Sequence, residues 1–462
     1  MSSIIDKISG KDVDKLEYGE SVCIFSSTGS GKTNAVEQIV FTLEKQVKTI
    51  ILTNRRACKI QLIKDFLKKY GIKEIPEELM DKLRINENIE VMTYQDFVKK
   101  KHRYHGKKLL LVCDECQCFA EDSTFSVYPQ QMTNFLKGNL DNTKRIYLTA
   151  TPDDILPMIW DIEALSDKKL YPLTKDNFRD FLRNMPVADD TRIGHTYIMK
   201  SDWSYLTFKA YAPDKKDDLI EYINKFCSDG KKALVFINNI AGGSDLKEQL
   251  VNCQHIYSNE DKKAELHEIA INEKFTSETL ITTKVAENGL SLHDEKLSLI
   301  VAETYDPITL QQIIGRARVS RKNPREITVL IPDYSLSNLG SIEGRLYMQL
   351  KEFQKAIENP DFAMQYLPQP NPYIYYDAIL KKPVVNYIGY NQIQKQIDFI
   401  QSLKESEQEE PHTFIRKILS IYGKNTDNID EMFLTMTPPK NADSVYCQRG
   451  KFSKTATKIP KR

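Results

Sequence analysis

The sequence predicts an α/β protein: two parallel-sheet domains followed by a mainly helical C-terminal region. Three observations carry this expectation. Short Val- and Ile-rich runs alternate with helix-period segments, first across residues 22–148 and again across residues 234–331. A glycine-bearing segment follows the first run, and an acidic pair follows the run that ends at Cys113. After Pro332 the strand-like runs stop and apolar residues recur at helical spacing.

The first set of runs covers residues 22–25, 49–52, 89–92, 109–113 and 146–148. They are mostly continuous rather than alternating, as expected of strands covered on both faces. Ile60, Ile63, Phe66, Leu67 and Tyr70 mark a helix between two of them. Strands alternating with helices build a parallel sheet through right-handed crossovers. Residues 153–200, with Pro157, Pro172 and Pro186, interrupt the pattern and read as a connector with a lead-in strand. The runs restart at 234–237, 255–257, 280–282, 297–301 and 327–331. Beyond them Tyr347, Leu350, Phe353 and Ile357, then Ile393, Ile397, Ile400 and Leu403, have helical spacing, with Pro368, Pro370 and Pro372 in a loop between. The expected domains are 1–165, a connector at 166–200, a second domain at 201–335, and a C-terminal region at 336–462 that ends in a basic tail.

The 65 basic residues nearly cancel 64 acidic ones. That excludes a global basic field, so a nucleic-acid site has to be a local groove. Cys113, Cys116 and Cys118 cluster, but no second cysteine pair follows at zinc spacing, so they read as packing residues in a reducing compartment. No stretch reaches the roughly 18 apolar residues of a membrane span. The first residues lack a signal-peptide pattern, and a cytoplasmic protein is expected.

Ser27-Thr28-Gly29-Ser30-Gly31-Lys32-Thr33 lies between a strand and a helix. Glycines there let backbone N–H groups turn toward an anion, and the helix N-terminus adds its positive end. Lys32 can reach terminal phosphates, and the Thr33 hydroxyl can ligate Mg²⁺. Asp114 and Glu115 stand at the carboxyl end of their strand, where a parallel sheet presents its ligands. Asp114 suits a metal ion and Glu115 an attacking water. Gln312-Ile313-Ile314-Gly315-Arg316-Ala317-Arg318 supplies positive charge from the second domain.

These segments together resemble the superfamily 2 helicases and translocases, the DExH/DEAD-type motors with two RecA-like (P-loop NTPase) domains. The resemblance covers about residues 15–335. Ser26 to Thr33 resembles motif I, Thr53-Asn54-Arg55-Arg56 motif Ia, and Val91-Met92-Thr93-Tyr94 the nucleic-acid-contacting segment before motif II. Asp114-Glu115-Cys116-Gln117 is similar to a DExQ motif II, and Thr149-Ala150-Thr151-Pro152 to motif III. Val235-Phe236-Ile237-Asn238 resembles motif IV, residues 282–290 motif V, and residues 312–318 motif VI. The resemblance implies ATP and Mg²⁺ in a cleft between the domains, Gly289 near the nucleotide, and Gln117, Thr149 and Thr151 as coupling residues. Gln312 would lie near the attacking water, with Arg316 as an arginine finger. The family's second motif VI arginine falls on Val319; Arg318 and Arg321 flank it, and both stay open as its substitute. Ser291 stands where an aspartate often meets the ribose.

The expected nucleic-acid track is Arg55, Arg56, Thr93, Asn238 and Thr283, residue types suited to sugar–phosphate contact without base reading. DNA and RNA are both open. The basic run Lys99-Lys100-Lys101-His102-Arg103 reads as a solvated loop. The function expected is an ATP-driven helicase or translocase working as a motor subunit, with a protein partner met through the C-terminal region and no membrane association. A conformational switch or scaffold subunit is the alternative.

Overall fold

The computed structural model describes residue 13 and residues 15–26, 32–43, 47–69, 71–72, 85–163, 189–191, 194–199, 202–257, 262–283, 291–319, 325–368 and 370–434. The first sheet holds β1 (Ser21–Ser26), β2 (Thr49–Thr53), β3 (Ile89–Thr93), β4 (Leu109–Cys113), β5 (Thr143–Thr149), β6 (Asp189–Thr191) and β7 (Gly194–Met199). Their order is β3-β2-β4-β5-β1-β7-β6, parallel throughout except that β6 runs antiparallel to β7. The helices of this domain are α1 (Lys32–Leu43), α2 (Arg56–Lys69), α3 (Tyr94–Lys100), α4 (Cys118–Glu121), α5 (Tyr128–Lys137) and α6 (Pro152–Glu163).

Successive residues of each strand point to opposite faces, and the two faces have separate cores. Cys23, Phe25, Leu52, Leu111 and Tyr147 pack with Phe97, Phe119, Met132 and Ile155 of α3 to α6. Val22, Ile24, Ile51, Val112 and Ile146 pack with Val36, Ile39, Ile63 and Phe66 of α1 and α2. Burial on both sides explains the continuous apolar runs. β7 pairs with β1, Val22 opposite His195, so the strand expected as a lead-in to the second domain lies in the first sheet.

The second sheet holds β8 (Leu206–Tyr211), β9 (Lys232–Phe236), β10 (Cys253–Ile256), β11 (Thr279–Thr282), β12 (Leu297–Ala302) and β13 (Ile327–Pro332), all parallel in the order β10-β11-β9-β12-β13-β8. Its helices are α7 (Lys216–Cys227), α8 (Ile240–Gln249), α9 (Lys263–Asn272) and α10 (Pro307–Arg316). No continuous apolar run marks β8, because it is an edge strand: Leu206, Phe208 and Ala210 are buried while Thr207 is exposed.

The C-terminal region contains α11 (Leu336–Glu358), α12 (Pro360–Tyr366), a hairpin of β14 (Ile374–Asp377) and β15 (Lys382–Val385), α13 (Tyr387–Glu409) and α14 (Thr413–Ile421). Leu346, Leu350 and Phe353 of α11, with Ile393, Ile397, Ile400 and Leu403 of α13, share one core with Leu310, Ile313 and Ile331 of the second domain. The start of α13 grips the first domain instead. Asn386 is fully buried, and its Nδ2 donates to the carbonyls of Ser123 (2.7 Å), Ser126 (3.1 Å) and Pro372 (2.7 Å). Gly389 packs against the Ser123 carbonyl, and Lys395 forms an ion pair with Asp154. α13 is therefore a strap joined to both domains.

Arg145 ties the first domain together. Fully buried, it donates to both Glu163 oxygens at 2.7 Å and to the carbonyls of Leu140, Thr143 and Gly19. Arg145→Met leaves the Glu163 carboxylate buried without its cation, so urea unfolding should show a loss of about 3–5 kcal/mol, against under about 1 kcal/mol for removing Lys262 from its solvent-facing pair with Glu265. A Cβ at Gly389 would lie 2.6 Å from Phe353 Cζ and closer still to the Ser123 carbonyl. Gly389→Ala should weaken the strap's docking by about 1–3 kcal/mol, seen as faster limited proteolysis at the α13 start.

Candidate active site and adjoining groove

β4, β5 and β1 lie side by side, so their carboxyl ends share one edge. β1 ends at Ser26; Ser27, Thr28, Gly29, Ser30 and Gly31 lie outside the described residues, as does the Thr33 side chain. α1 begins at Lys32, which is 7% exposed and donates from Nζ to the Ser26 carbonyl at 2.6 Å. Asp114 follows β4. Its N–H donates to the Leu52 carbonyl (2.9 Å), and its own carbonyl accepts from the Tyr94 hydroxyl (2.9 Å). Glu115 sits at φ 50, a left-handed conformation that costs a non-glycine residue energy and must be held by its surroundings. Cys116 N–H supplies part of that hold by donating to the Leu148 carbonyl at 3.0 Å. Gln117 Nε2 donates to Glu115 Oε2 at 2.6 Å.

The second domain contributes α10. The Asp306 side chain accepts from the N–H groups of Ile308 (3.1 Å) and Thr309 (3.2 Å), and Pro307 occupies the first turn, a well-formed N-terminus. Gln312 and Arg316, four residues apart, share a helix face. Gln312 donates to Glu121 of α4, and Gln311 Nε2 donates to the Ala150 carbonyl at 3.1 Å. Ala150 lies between Thr149 and Thr151, where Thr151 N–H donates to Thr149 Oγ1 at 3.0 Å. The segment expected to couple the domains thus touches both.

Charge explains the arrangement. Burial pushes the Asp114 carboxyl up to about 7, Glu115 beside it adds to the rise, and Lys32 opposes it. Burial also works to raise Glu115, but Lys32, Arg316, the Gln117 hydrogen bond and Arg318 outweigh it and hold the carboxyl below its ordinary value. Burial lowers Lys32 against the pull of Glu115 and Asp114. Arg318 is brought down to about 10 by burial and then by Arg316, and Glu115 offsets part of this. Its Nε and Nη2 donate to Ser291 Oγ at 3.3 and 2.9 Å. Of the two flanking arginines, Arg318 therefore stands in this cluster; Arg321 and Gly289 lie outside the described residues.

Among the described residues, several buried polar atoms have no hydrogen-bond partner: Gln117 Oε1, Thr151 Oγ1, Gln312 Oε1 and Arg318 Nη1 near this junction, and both amide atoms of Asn54. Buried polar groups are normally satisfied, and this set, with the arginines around it, suits a polar anionic ligand. Among the described residues no three His, Cys, Asp or Glu side chains converge as a metal cage. Asp114 at the end of β4 offers one carboxylate, and Mg²⁺ is commonly held by one or two carboxylates and completed by phosphate oxygens and water. Cys113, Cys116 and Cys118 are buried free thiols in the core.

A groove of about 830 Å³ opens on the first domain, lined by Asn54, Arg55, Arg56, Thr93, Lys100 and Arg103 among others. Three of the expected track residues thus lie together. Arg55 pairs with buried Asp122 (3.2 Å), and Thr93 Oγ1 caps α3 by accepting from Asp96 N–H (3.1 Å). Arg56 is exposed. The run 99–103 is largely solvent-exposed, as expected, but it is not a loop. It is the end of α3 and one 3₁₀ turn, and it places Lys100 and Arg103 in the groove. Their spacing of three, one helical turn, was the sequence signal. Asn238, exposed after β9, and Thr283, half-buried after β11, stand at the carboxyl edge of the second sheet. No described helix is long and apolar enough to cross a membrane.

Residues 2–154 match the family model of the type III restriction enzyme res subunit, and residues 214–320 match the helicase conserved C-terminal domain. No curated protein matches the sequence. Among solved structures, the DEAD-box helicase Mss116 bound to single-stranded RNA and UDP-BeF is similar at 15% identity and TM-score 0.50, covering 77% of this chain and 82% of that one. Dbp5 of S. cerevisiae bound to RNA and ADP BeF3 is similar at 16% identity and TM-score 0.47, over 70% and 83%. The Mycobacterium smegmatis helicase Lhr bound to single-stranded DNA and AMP-PNP aligns at 12% identity and TM-score 0.46, over 83% and 58%. With those two family models in tandem on two parallel-sheet domains, the chain belongs to the superfamily 2 helicases with two RecA-like domains.

Proposed function

We propose that this protein is a nucleic-acid-dependent ATPase, a helicase or translocase motor that works within a larger assembly. The observation that carries this reading is the split charge cluster. Asp114, Glu115 and Lys32 come from one domain and Arg316 and Arg318 from the other, so hydrolytic chemistry is complete only when the two meet. Lys32 and the backbone of residues 27–31 bind the phosphates of ATP. Mg²⁺, held by Asp114 and Thr33, neutralises phosphate charge when bound. Glu115, kept ionised, orients the attacking water and polarises it. Arg316 stabilises the charge that develops on the transferred group, with Arg318 alongside. Gln312 bonds across the cleft and reports closure.

Nucleic acid, such as the single-stranded RNA bound by Mss116, is the proposed track ligand. Arg56, Lys100 and Arg103 offer exposed or groove-lining charge for phosphates, with Asn238 and Thr283 continuing the path on the second domain. Such contacts fix position without reading sequence.

Lys32→Ala and Glu115→Gln should abolish ATP turnover. Arg316→Ala should lower kcat by about 10³-fold or more, as loss of an arginine finger does. Single strands, duplex or RNA should raise the rate of the wild type in a coupled ATPase assay; a rate that none of them changes would sink the motor reading and favour a nucleotide-driven switch. Charge reversal at Arg56, Lys100 or Arg103 should weaken binding evenly across sequences. Each should also flatten the dependence of log affinity on log salt by about one unit, measured by fluorescence anisotropy.

A further inference from the structure

We propose that the C-terminal region governs ATP hydrolysis, with Asn386 as a positioning residue that acts through the segment Glu121-Asp122-Ser123. This rests on the ATPase reading and deepens it by assigning the regulation of that site to the start of α13.

The segment is short and firmly held. α4 ends at Glu121, and a 3₁₀ turn covers Asp122–Thr124. Asp122 is 1% exposed and Ser123 is fully buried. The N–H groups of Ala120 and Glu121 donate to the Gln117 carbonyl at 2.9 and 3.1 Å, which ties the segment to the residue whose amide holds Glu115. Successive residues of a helical turn face directions about 100–120° apart. Three neighbours in sequence can therefore serve three parts of the molecule. Glu121 accepts from Gln312 of α10. Asp122 accepts from Arg55 in the groove, at 3.3 and 3.2 Å, and from the Tyr128 hydroxyl at 2.5 Å. Ser123 offers its carbonyl to the Asn386 amide at 2.7 Å.

Asn386 grips this segment from the C-terminal region. Its Nδ2 also donates to the Ser126 carbonyl at 3.1 Å, and its Oδ1 accepts from Gly389 N–H at 3.1 Å. The α13 backbone presses on the same atom, because a Cβ at Gly389 would collide with the Ser123 carbonyl. Leaving a buried carbonyl without its donor is costly, so the grip stays made. α13 also reaches the other side of the junction. Gln396 Oε1 accepts from the Tyr305 hydroxyl at 3.3 Å, one residue before the Asp306 that starts α10. One helix therefore holds both partners of the Glu121–Gln312 contact. Gln312 and Arg316 share a face of α10, so the seat that Glu121 gives Gln312 also decides where Arg316 stops beside Glu115. A shift at Ser123 passes to Glu121 two residues earlier, and from there to the arginine.

The test is steady-state ATP turnover by the full chain, with and without a single strand, beside titration of its nucleotide sites with a fluorescent ATP analogue. Asn386→Ala should lower the strand-stimulated kcat about tenfold, since a misplacement on the order of 1 Å is that costly. KM for ATP and the number of nucleotide sites should stay at the wild-type level, whereas a loss of folded protein would lower the sites in step with the rate. Gly389→Ala, which displaces the Ser123 carbonyl and keeps the amide, should act in the same direction. Glu121→Ala should slow turnover as Asn386→Ala does, and Glu121→Gln should restore it by keeping an acceptor for Gln312. Glu121→Ala combined with Asn386→Ala should be no slower than the slower single variant. Gln401→Ala removes the contacts of α13 to Glu343 and Tyr347 instead, and should turn over ATP at the wild-type rate. Wild-type kcat in Asn386→Ala, losses that multiply, or an equal loss in Gln401→Ala overturns the proposal. A wild type that hydrolyses no ATP defeats the ATPase reading and this one with it; a strand-stimulated wild type beside an unaffected Asn386→Ala defeats this one alone.

Discussion

Two carboxylates buried side by side at the end of β4 set the terms for the rest of the molecule. Asp114 and Glu115 repel each other in a dry setting, and burial alone would drive both to their neutral forms. Glu115 stays ionised because positive charge reaches it from three places: Lys32 at the head of α1, Arg316 on α10 and Arg318 just beyond. Lys32 belongs to the same domain, whereas the arginines belong to the other. The arginines of the second domain therefore add to the hold of Lys32 on the Glu115 carboxylate.

The backbone is built to serve that junction. Parallel sheets deliver β1, β4 and β5 with their carboxyl ends together, so Lys32, the acidic pair and Thr149 to Thr151 converge without any long loop. Asp306 starts α10 where Gln312 and Arg316 face the first domain. α13 then spans the pair from outside, with its aliphatic face in the second domain's core and Asn386 in the first domain. Relative movement of the domains has to be accommodated at this strap. The C-terminal region, expected to meet a partner protein, already has a substantial partner within its own chain.

Much of this was legible in sequence wherever the physics is local. Strands covered on both faces leave continuous apolar runs, and β1 to β5 and β9 to β13 all fell on such runs. The signal fades in three strands: β8 alternates because one face is partly solvated, and β6 and β7 carry too few apolar residues. Lys32 and the Asp-Glu pair, which stand out in the sequence by residue type and spacing, lie together beyond the carboxyl ends of β1 and β4. Long-range pairings left no local trace. Arg55 lines the groove and also pairs with Asp122, sixty-seven positions away. Lys100 and Arg103 read as solvated charge, because only the packing of α3 beside β2 and β3 shows that they share a groove with Arg56. The Asn386 latch depends on carbonyls over two hundred and sixty positions earlier and could not be read from its neighbours.

The central claim is that one hydrolytic site is divided between two domains. It is tested most directly by a double-mutant cycle on ATP turnover with Gln117→Ala, which removes the amide that holds Glu115, Arg316→Ala and the pair combined. Residues that act together on one transition state lose their effects non-additively. The account predicts that the combined variant is no slower than the slower single variant. Losses that multiply, or an Arg316→Ala enzyme that turns over ATP at the wild-type rate, would contradict it.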